Sequence, residues 1–233
     1  MLKLKCLGSG SKQGNCYLLS TEKETLILDC GLPIMEIKKG LNFDIRRISG
    51  VLCSHVHLDH SKALNDFYKM GAHIVAPFQA GEVKRSHATM GSFDVTSFDL
   101  PHNGTWNNGF LIKAEGQKIL YMTDFEYCPY IFKKQWINHM IIECNYEQEL
   151  VDKDLPNFEH KVKGHCSLDT CKTFVEKNRT KDLRSVLLCH MGGETCRGDK
   201  CVTEVQKVAG NAIYVDYAAA GKEWELKKSL CPF

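Results

Sequence analysis

A series of short, unbroken apolar runs, each stopped by a polar residue, constrains this chain more than any other feature. Leu26–Leu28 stops at Asp29, Val51–Cys53 at Ser54 and His55, and Ile119–Met122 at Thr123 and Asp124. Ile141 and Ile142 stop at Glu143, and Val186–Cys189 stops at His190. Runs this short and this continuous, rich in Val, Ile and Leu, suit strands buried on both faces. A sheet covered on both faces needs layers above and below it, so the pattern predicts an α/β architecture with sheet inside and helices outside.

Helical candidates fall between the runs. Ser61–Met70 places Ala63, Leu64, Phe67, Tyr68 and Met70 at helical spacing and stops at Gly71. A second helix starts with Ser167 as a candidate cap and puts Leu168, Cys171, Phe174 and Val175 on one face. Lys200–Val208 is a third, weaker candidate, and Ala212–Asp216 with Trp224–Leu226 reads as a last pair of strands around Gly221. With no linker, repeat or low-complexity tract, one domain spanning 1–233 is expected.

Charge and cysteine content narrow the function classes. The net charge is +2, which gives no overall electrostatic case for nucleic acid, although local basic patches remain available. No apolar run approaches the ~18–20 residues of a membrane span, and lysines interrupt the apolar stretches of the N-terminus. The expectation is a cytoplasmic protein without a membrane partner. The 12 cysteines fall below the ~8–10% of a disulfide scaffold, and most are expected as reduced thiols. Cys53, Cys144 and Cys189 read as small hydrophobes in apolar runs. Cys196 and Cys201 have the spacing of half a metal site with no partner pair, which is weak evidence for one.

The chemistry concentrates in Ser54-His55-Val56-His57-Leu58-Asp59-His60. In an extended segment His55 and His57 share a face, because the side-chain period is two. The following turn into a helix brings Asp59 and His60 to the same end. Imidazole and carboxylate are ligands for Zn²⁺ and for Mn²⁺ or Fe²⁺. One ion cannot easily use all four side chains, but two can, with His55 and His57 on one and Asp59 and His60 on the other. His102, Asp124 and His190 supply further donors at strand ends, where α/β sheets place their sites.

In this order, His55-x-His57-x-Asp59-His60, His102, Asp124 and His190 resemble the metallo-β-lactamase superfold. The resemblance implies an αββα sandwich, two mixed sheets flanked by helices, with a site for two divalent ions, Zn or Mn. It implies that His55, His57 and His102 hold the first ion, that Asp59, His60 and His190 hold the second, and that Asp124 bridges. Asp29 matches an acidic motif that supports the site. Glu143-Cys-Asn and Gly164-His165-Cys-Ser167 resemble motifs of the tRNase Z and YycJ/WalJ-type members. In that comparison Glu143 orients His165, and His165 contacts the scissile phosphate or protonates the leaving group. The Gly8–Leu19 opening, with one extra residue at Lys12 or Gln13, and the Ile213–Leu226 end resemble the YycJ/WalJ type. The residues after Asp124 and after His190 depart from that pattern, and only 66 positions separate these two ligands, too few for a β-CASP insertion.

The implied activity is metal-dependent phosphodiester hydrolysis, led by DNA exonuclease activity, with His165, Glu143 and Asp59 catalytic. Lys161, Lys163 and Ser167 are the expected substrate contacts, and Arg46/Arg47, Lys84/Arg85 and Arg179/Lys181/Arg184 are lesser basic clusters. The expected partner is nucleic acid, DNA ahead of RNA, or a nucleotide. The near-neutral charge keeps a rival open, a small-molecule phosphodiesterase such as a cyclic-nucleotide hydrolase of the phage anti-Pycsar type. The oligomeric state is left open, a homodimer among the options.

Overall fold

In the computed structural model, which describes residues 1–80, 85–154 and 156–228, the apolar runs form the middle of two sheets. The strands are β1 (Leu2–Gly8), β2 (Cys16–Ser20), β3 (Thr25–Leu28), β4 (Ile48–Leu52), β5 (Ile74–Val75) and β6 (His87–Met90). They continue with β7 (Phe93–His102), β8 (Thr105–Ala114), β9 (Gln117–Met122), β10 (His139–Glu143), β11 (Ser185–Cys189), β12 (Tyr214–Tyr217) and β13 (Glu223–Leu226). One sheet has the order β13-β1-β2-β3-β4-β5 and the other β12-β11-β10-β9-β8-β7-β6. Both are mixed: β3, β4 and β5 run parallel, as do β9 to β12, while the remaining pairs are antiparallel.

The runs are buried on both faces, as their composition requires. On β3, Leu26 and Leu28 enter the core between the sheets while Ile27 faces the outer layer of α1 (Ile34–Gly40) and α3 (Leu64–Lys69). On β10 and β11, Ile141 and Leu187 face the other sheet. Met140, Ile142, Val186 and Leu188 face α5 (Leu168–Asn178) and α6 (Gly198–Ala209). Each such side chain contributes ~1.5–3 kcal/mol on burial, and the outcome is helix, sheet, sheet, helix in layers.

Two local expectations are corrected. The expected Ser61–Met70 helix begins earlier and is broken: α2 (Leu58–Ser61) and α3 are separate. The break falls at Ala63, whose N–H bonds the carbonyl of Cys30 instead of continuing one helix. Asp59 and His60 therefore lie inside a short helix rather than before one. The last two strands are also not a pair, since β12 joins β11 in one sheet and β13 joins β1 in the other. The chain closes both sheets by crossing between them at Gly221, where φ is +89°.

One buried histidine lies outside the strand-end cluster. His139 starts β10, with Nδ1 2.8 Å from Ser185 Oγ and Nε2 2.8 Å from Gln117 Oε1. Burial, with Arg184 nearby, pushes its pKa down from 6.5 to about 3. The unfolded chain therefore binds this proton more readily, and stability falls as pH drops from 6.5 toward 3 while the folded residue stays neutral. Over that window the residue is expected to cost up to ~1.4 kcal/mol of stability per pH unit. Urea unfolding of wild type and His139→Gln across this range checks it. The variant should show a shallower decline, and parallel declines would contradict the assignment.

Candidate metal centre and active site

The strand ends deliver the donors to one edge. His55 follows β4, His102 ends β7, Asp124 follows β9, Glu143 ends β10 and His190 follows β11. Three of the residues that leave a strand into the site, Asp29, Asp124 and His190, have left-handed backbones, with φ of 56°, 52° and 48°. Such conformations cost of order 1–3 kcal/mol each in a non-glycine residue and gather at functional sites.

Two sets of donor atoms converge. In the first, His55 Nε2 and His102 Nε2 lie 3.0 and 3.2 Å from His57 Nδ1, and 3.6 and 3.8 Å from Asp124 Oδ2. In the second, His60 Nε2 lies 3.4 Å from Asp59 Oδ2 and 3.2 Å from Asp124 Oδ1, and His190 Nε2 lies 3.5 Å from Asp59 Oδ2. Ligands at 2.0–2.1 Å around a tetrahedral ion are ~3.3 Å apart, so both sets have the spacing of a coordination shell. Asp124 shares its two oxygens between them.

The outward nitrogens fix which lone pairs point inward. His102 Nδ1 donates to the carbonyl of Gly164 at 2.6 Å, His60 Nδ1 to Asp29 Oδ2 at 2.8 Å, and His190 Nδ1 to Glu143 Oε1 at 2.8 Å. Each such bond leaves Nε2 as the nitrogen free to ligate a cation: His102 Nε2 faces His57 and Asp124, while His60 Nε2 also lies 2.9 Å from Asn15 Nδ2 and His190 Nε2 3.3 Å from Ser11 Oγ. The residues therefore fit two divalent ions. Asp29 supports the second set, accepting from Ser54 N–H at 2.7 Å and from the buried Tyr121 hydroxyl as well as from His60.

The electrostatics agree. Burial alone would raise the Asp124 carboxyl, but the imidazoles of His190 and His60 outweigh it and hold it well below the usual range. Burial opposes charge on His190, yet Asp124, Asp59 and Glu143 push it up to about 10. Burial pushes His55 down, and the neighbouring His60 adds to this. Protons on His60 and His190 must leave when a cation enters, so metal affinity rises with pH.

His165 stands beside both sets. Its Nδ1 is 2.8 Å from Glu143 Oε1, and its ring stacks on His190 with centroids 5.2 Å apart. Its Nε2 has no protein partner among the described residues. Glu143 also holds more than the sequence reading gave it: Oε1 accepts from both His165 and His190, while Oε2 accepts the N–H groups of Phe125 and Cys166.

The expected substrate contacts fare differently. Lys161 reaches inward, donating to Asn145 Oδ1 at 3.0 Å and Thr195 Oγ1 at 2.9 Å, and burial lowers its pKa. Lys163 is exposed and paired with Glu159 one helical turn back on α4 (Phe158–Gly164). Ser167 caps α5, accepting from Thr170 N–H at 3.1 Å, so its hydroxyl serves the helix. Among the lesser clusters, Arg47 and Arg184 donate to backbone carbonyls, and Lys84 lies outside the described residues.

Sequence reasoning missed two contributors. Exposed His160 of α4 lies over the mouth, its ring 5.8 Å from His165 and 6.2 Å from His102, and Asn103 tethers it at 3.0 Å. The signal was faint, a histidine five residues before His165. Gly31 is the other. A Cβ there would sit 1.7 Å from the carbonyl oxygen of Asp59, so only glycine lets the β3 loop pack under the ligand helix. Gly31→Ala is expected to cost ~3 kcal/mol or more through overpacking and to weaken metal binding. Denaturant midpoints with and without Mn²⁺ check this, and an unchanged midpoint would contradict it.

Layers and topology are those of the metallo-β-lactamase fold. Residues 10–79 match the family description "Metallo-beta-lactamase superfamily". The chain is 24% identical over 177 residues to the exodeoxyribonuclease YycJ of Bacillus anthracis, spanning 64% of this chain and 65% of that protein. Among solved structures it resembles the metallo-β-lactamase fold protein YhfI of Bacillus subtilis, with a TM-score of 0.71 at 19% identity over 96% of this chain and 98% of that one. It also resembles the short form of human tRNase Z, with a TM-score of 0.63 at 17% identity over 97% and 99%. Among the described residues no helix is long and apolar enough to cross a membrane.

Proposed function

We propose that the chain is a metal-dependent hydrolase of phosphodiesters and that its substrate is nucleic acid, DNA ahead of RNA, degraded from an end. The observation that carries this reading is the Glu143–His165 pair, 2.8 Å apart, set against the Asp124/His190 edge of the donor cluster. Two bound divalent ions, Zn or Mn, would supply Lewis-acid activation of water and neutralise charge on the phosphate. His55, His57, His102 and Asp124 would hold one, and Asp59, His60, His190 and Asp124 the other.

The chain's own residues do the rest. A leaving alkoxide needs a proton, and the ligand nitrogens cannot give one. Glu143 accepts from His165 Nδ1–H, so a ring that also carries a proton on Nε2 can pass that proton to the leaving oxygen and is left neutral, its Nδ1–H still held by Glu143. A thiolate leaving group, as in a thioester, would need this far less. Asn145 and Thr195 hold Lys161 behind the site, where its charge acts on the anion without direct contact. The similarity to an exodeoxyribonuclease supports DNA and end-on cleavage.

The near-neutral charge of +2, with Lys163 already paired, favours a second reading, a small nucleotide phosphodiester as substrate. A cleavage panel on Mn²⁺-loaded protein separates the two. Release of mononucleotides from single- or double-stranded DNA at rates above those on cyclic mononucleotides is expected. Cleavage of cyclic mononucleotides alone would replace nucleic acid by the small substrate.

A further inference from the structure

Behind the histidine site three thiols meet in one buried spot. Cys144 follows Glu143 at the end of β10, Cys196 ends the turn that follows His190, and Cys201 lies near the start of α6. Cys144 and Cys201 are fully buried and Cys196 is 7% exposed. Cys196 Sγ is 3.2 Å from Cys201 Sγ, and its thiol donates to the carbonyl of Cys144 at 3.2 Å. All three sulfurs lie within 4.8 Å of one another. A fourth thiol, Cys171 of α5, is fully buried in the same core cluster.

Aliphatic packing does not explain this arrangement. Cysteine in a core is a small hydrophobe with a weak donor, and nothing in that role asks three sulfurs from three separate segments to converge. Thiolates at ~2.3 Å around a tetrahedral zinc-like ion are ~3.8 Å apart; Cys196 and Cys201 stand closer, at 3.2 Å, and all three sulfurs lie within 4.8 Å. Lys161 bonds Thr195, the residue before Cys196, while Arg197 and Lys200 flank the turn and pair with Glu147 and Glu149.

We propose that Cys144, Cys196 and Cys201 bind a thiophilic divalent cation of the zinc class. Each thiol that binds becomes a thiolate, and its proton goes to solvent. The site is chemically distinct from the histidine cluster, because sulfur selects soft ions while imidazole and carboxylate accept harder ones such as Mn²⁺. Its place in the chain gives it a task. It ties the end of β10 to the turn after His190 and to α6, so it holds Glu143 and His190 at their stations from behind.

The test uses full-length protein produced with Co²⁺ as the added metal. Sulfur-to-cobalt charge transfer in the near ultraviolet reports thiolate ligation, and the nitrogen and oxygen donors of the histidine cluster give no such band. Wild type is expected to show the band. Cys196→Ser and Cys201→Ser should each lose it, and Cys128→Ser, outside the trio, should keep it. Cobalt-edge X-ray absorption on wild type, which should find sulfur in the shell, reads the site even where a serine variant fails to fold. Cobalt-loaded wild type with only nitrogen and oxygen around the metal would overturn the proposal. So would mass spectrometry of wild type, alkylated on cell lysis, that finds Cys196 joined to Cys201 as a disulfide.

Discussion

Replacing His165 by alanine is expected to slow turnover on a nucleic-acid substrate by ~10²–10⁴-fold, the usual size of general acid–base catalysis. Both Mn²⁺ ions should stay bound, because His165 belongs to neither donor set that Asp124 joins to His55, His57 and His102 or to Asp59 and His60. The loss should shrink on bis(p-nitrophenyl) phosphate, whose leaving group departs without a proton. Equal losses on both substrates would assign His165 to phosphate binding instead. Glu143→Gln should behave differently from His165→Ala, since Glu143 also fixes the ring of His190 at 2.8 Å. It should weaken the second ion by the ~10–100-fold of an outer-shell change as well as slow turnover.

The second large effect belongs to Asp124. Its two oxygens face His60 at 3.2 Å and His55 at 3.6 Å, so one carboxylate serves both sets. Asp124→Asn keeps the shape, and asparagine tolerates the left-handed backbone at φ 52°. The variant should fold, yet it removes the shared charge. Mn²⁺ content is expected to fall from two ions per chain to at most one, and activity by more than the ~10–100-fold of an outer-shell change. Mn²⁺ suits the count because thiolates hold it poorly. Two tightly bound Mn²⁺ ions in the variant would contradict the bridging role.

Much of the fold was legible because a strand buried on both faces leaves no polar position, and β3, β9, β10 and β11 read as unbroken apolar runs for that reason. Their polar stops named most of the site, since a strand end is where backbone and side chains turn out of the core. What was not read had other signals or none. The β7–β8 hairpin carries Asn103-Gly104 at its turn, both with positive φ, a dipeptide typical of two-residue hairpins. The break at Ala63 depends on a backbone bond from Cys30, which lies far away in sequence. Lysines 161 and 163 look alike beside His165, yet two residues along a helix face opposite ways, so one reaches inward, half-buried behind the site, and the other is spent on Glu159. Convergence of Cys144 with Cys196 and Cys201 is likewise a product of tertiary packing.

The central claim is that this donor cluster hydrolyses phosphodiesters with divalent metal. The most direct measurement is the hydrolysis of bis(p-nitrophenyl) phosphate by chelator-stripped protein, before and after Mn²⁺ or Zn²⁺ is restored, with a β-lactam and a thioester run alongside. The account predicts no turnover when stripped, restored turnover on the phosphodiester, and little on the other two. Fully reloaded protein that leaves the phosphodiester intact while hydrolysing the thioester or the lactam would contradict it.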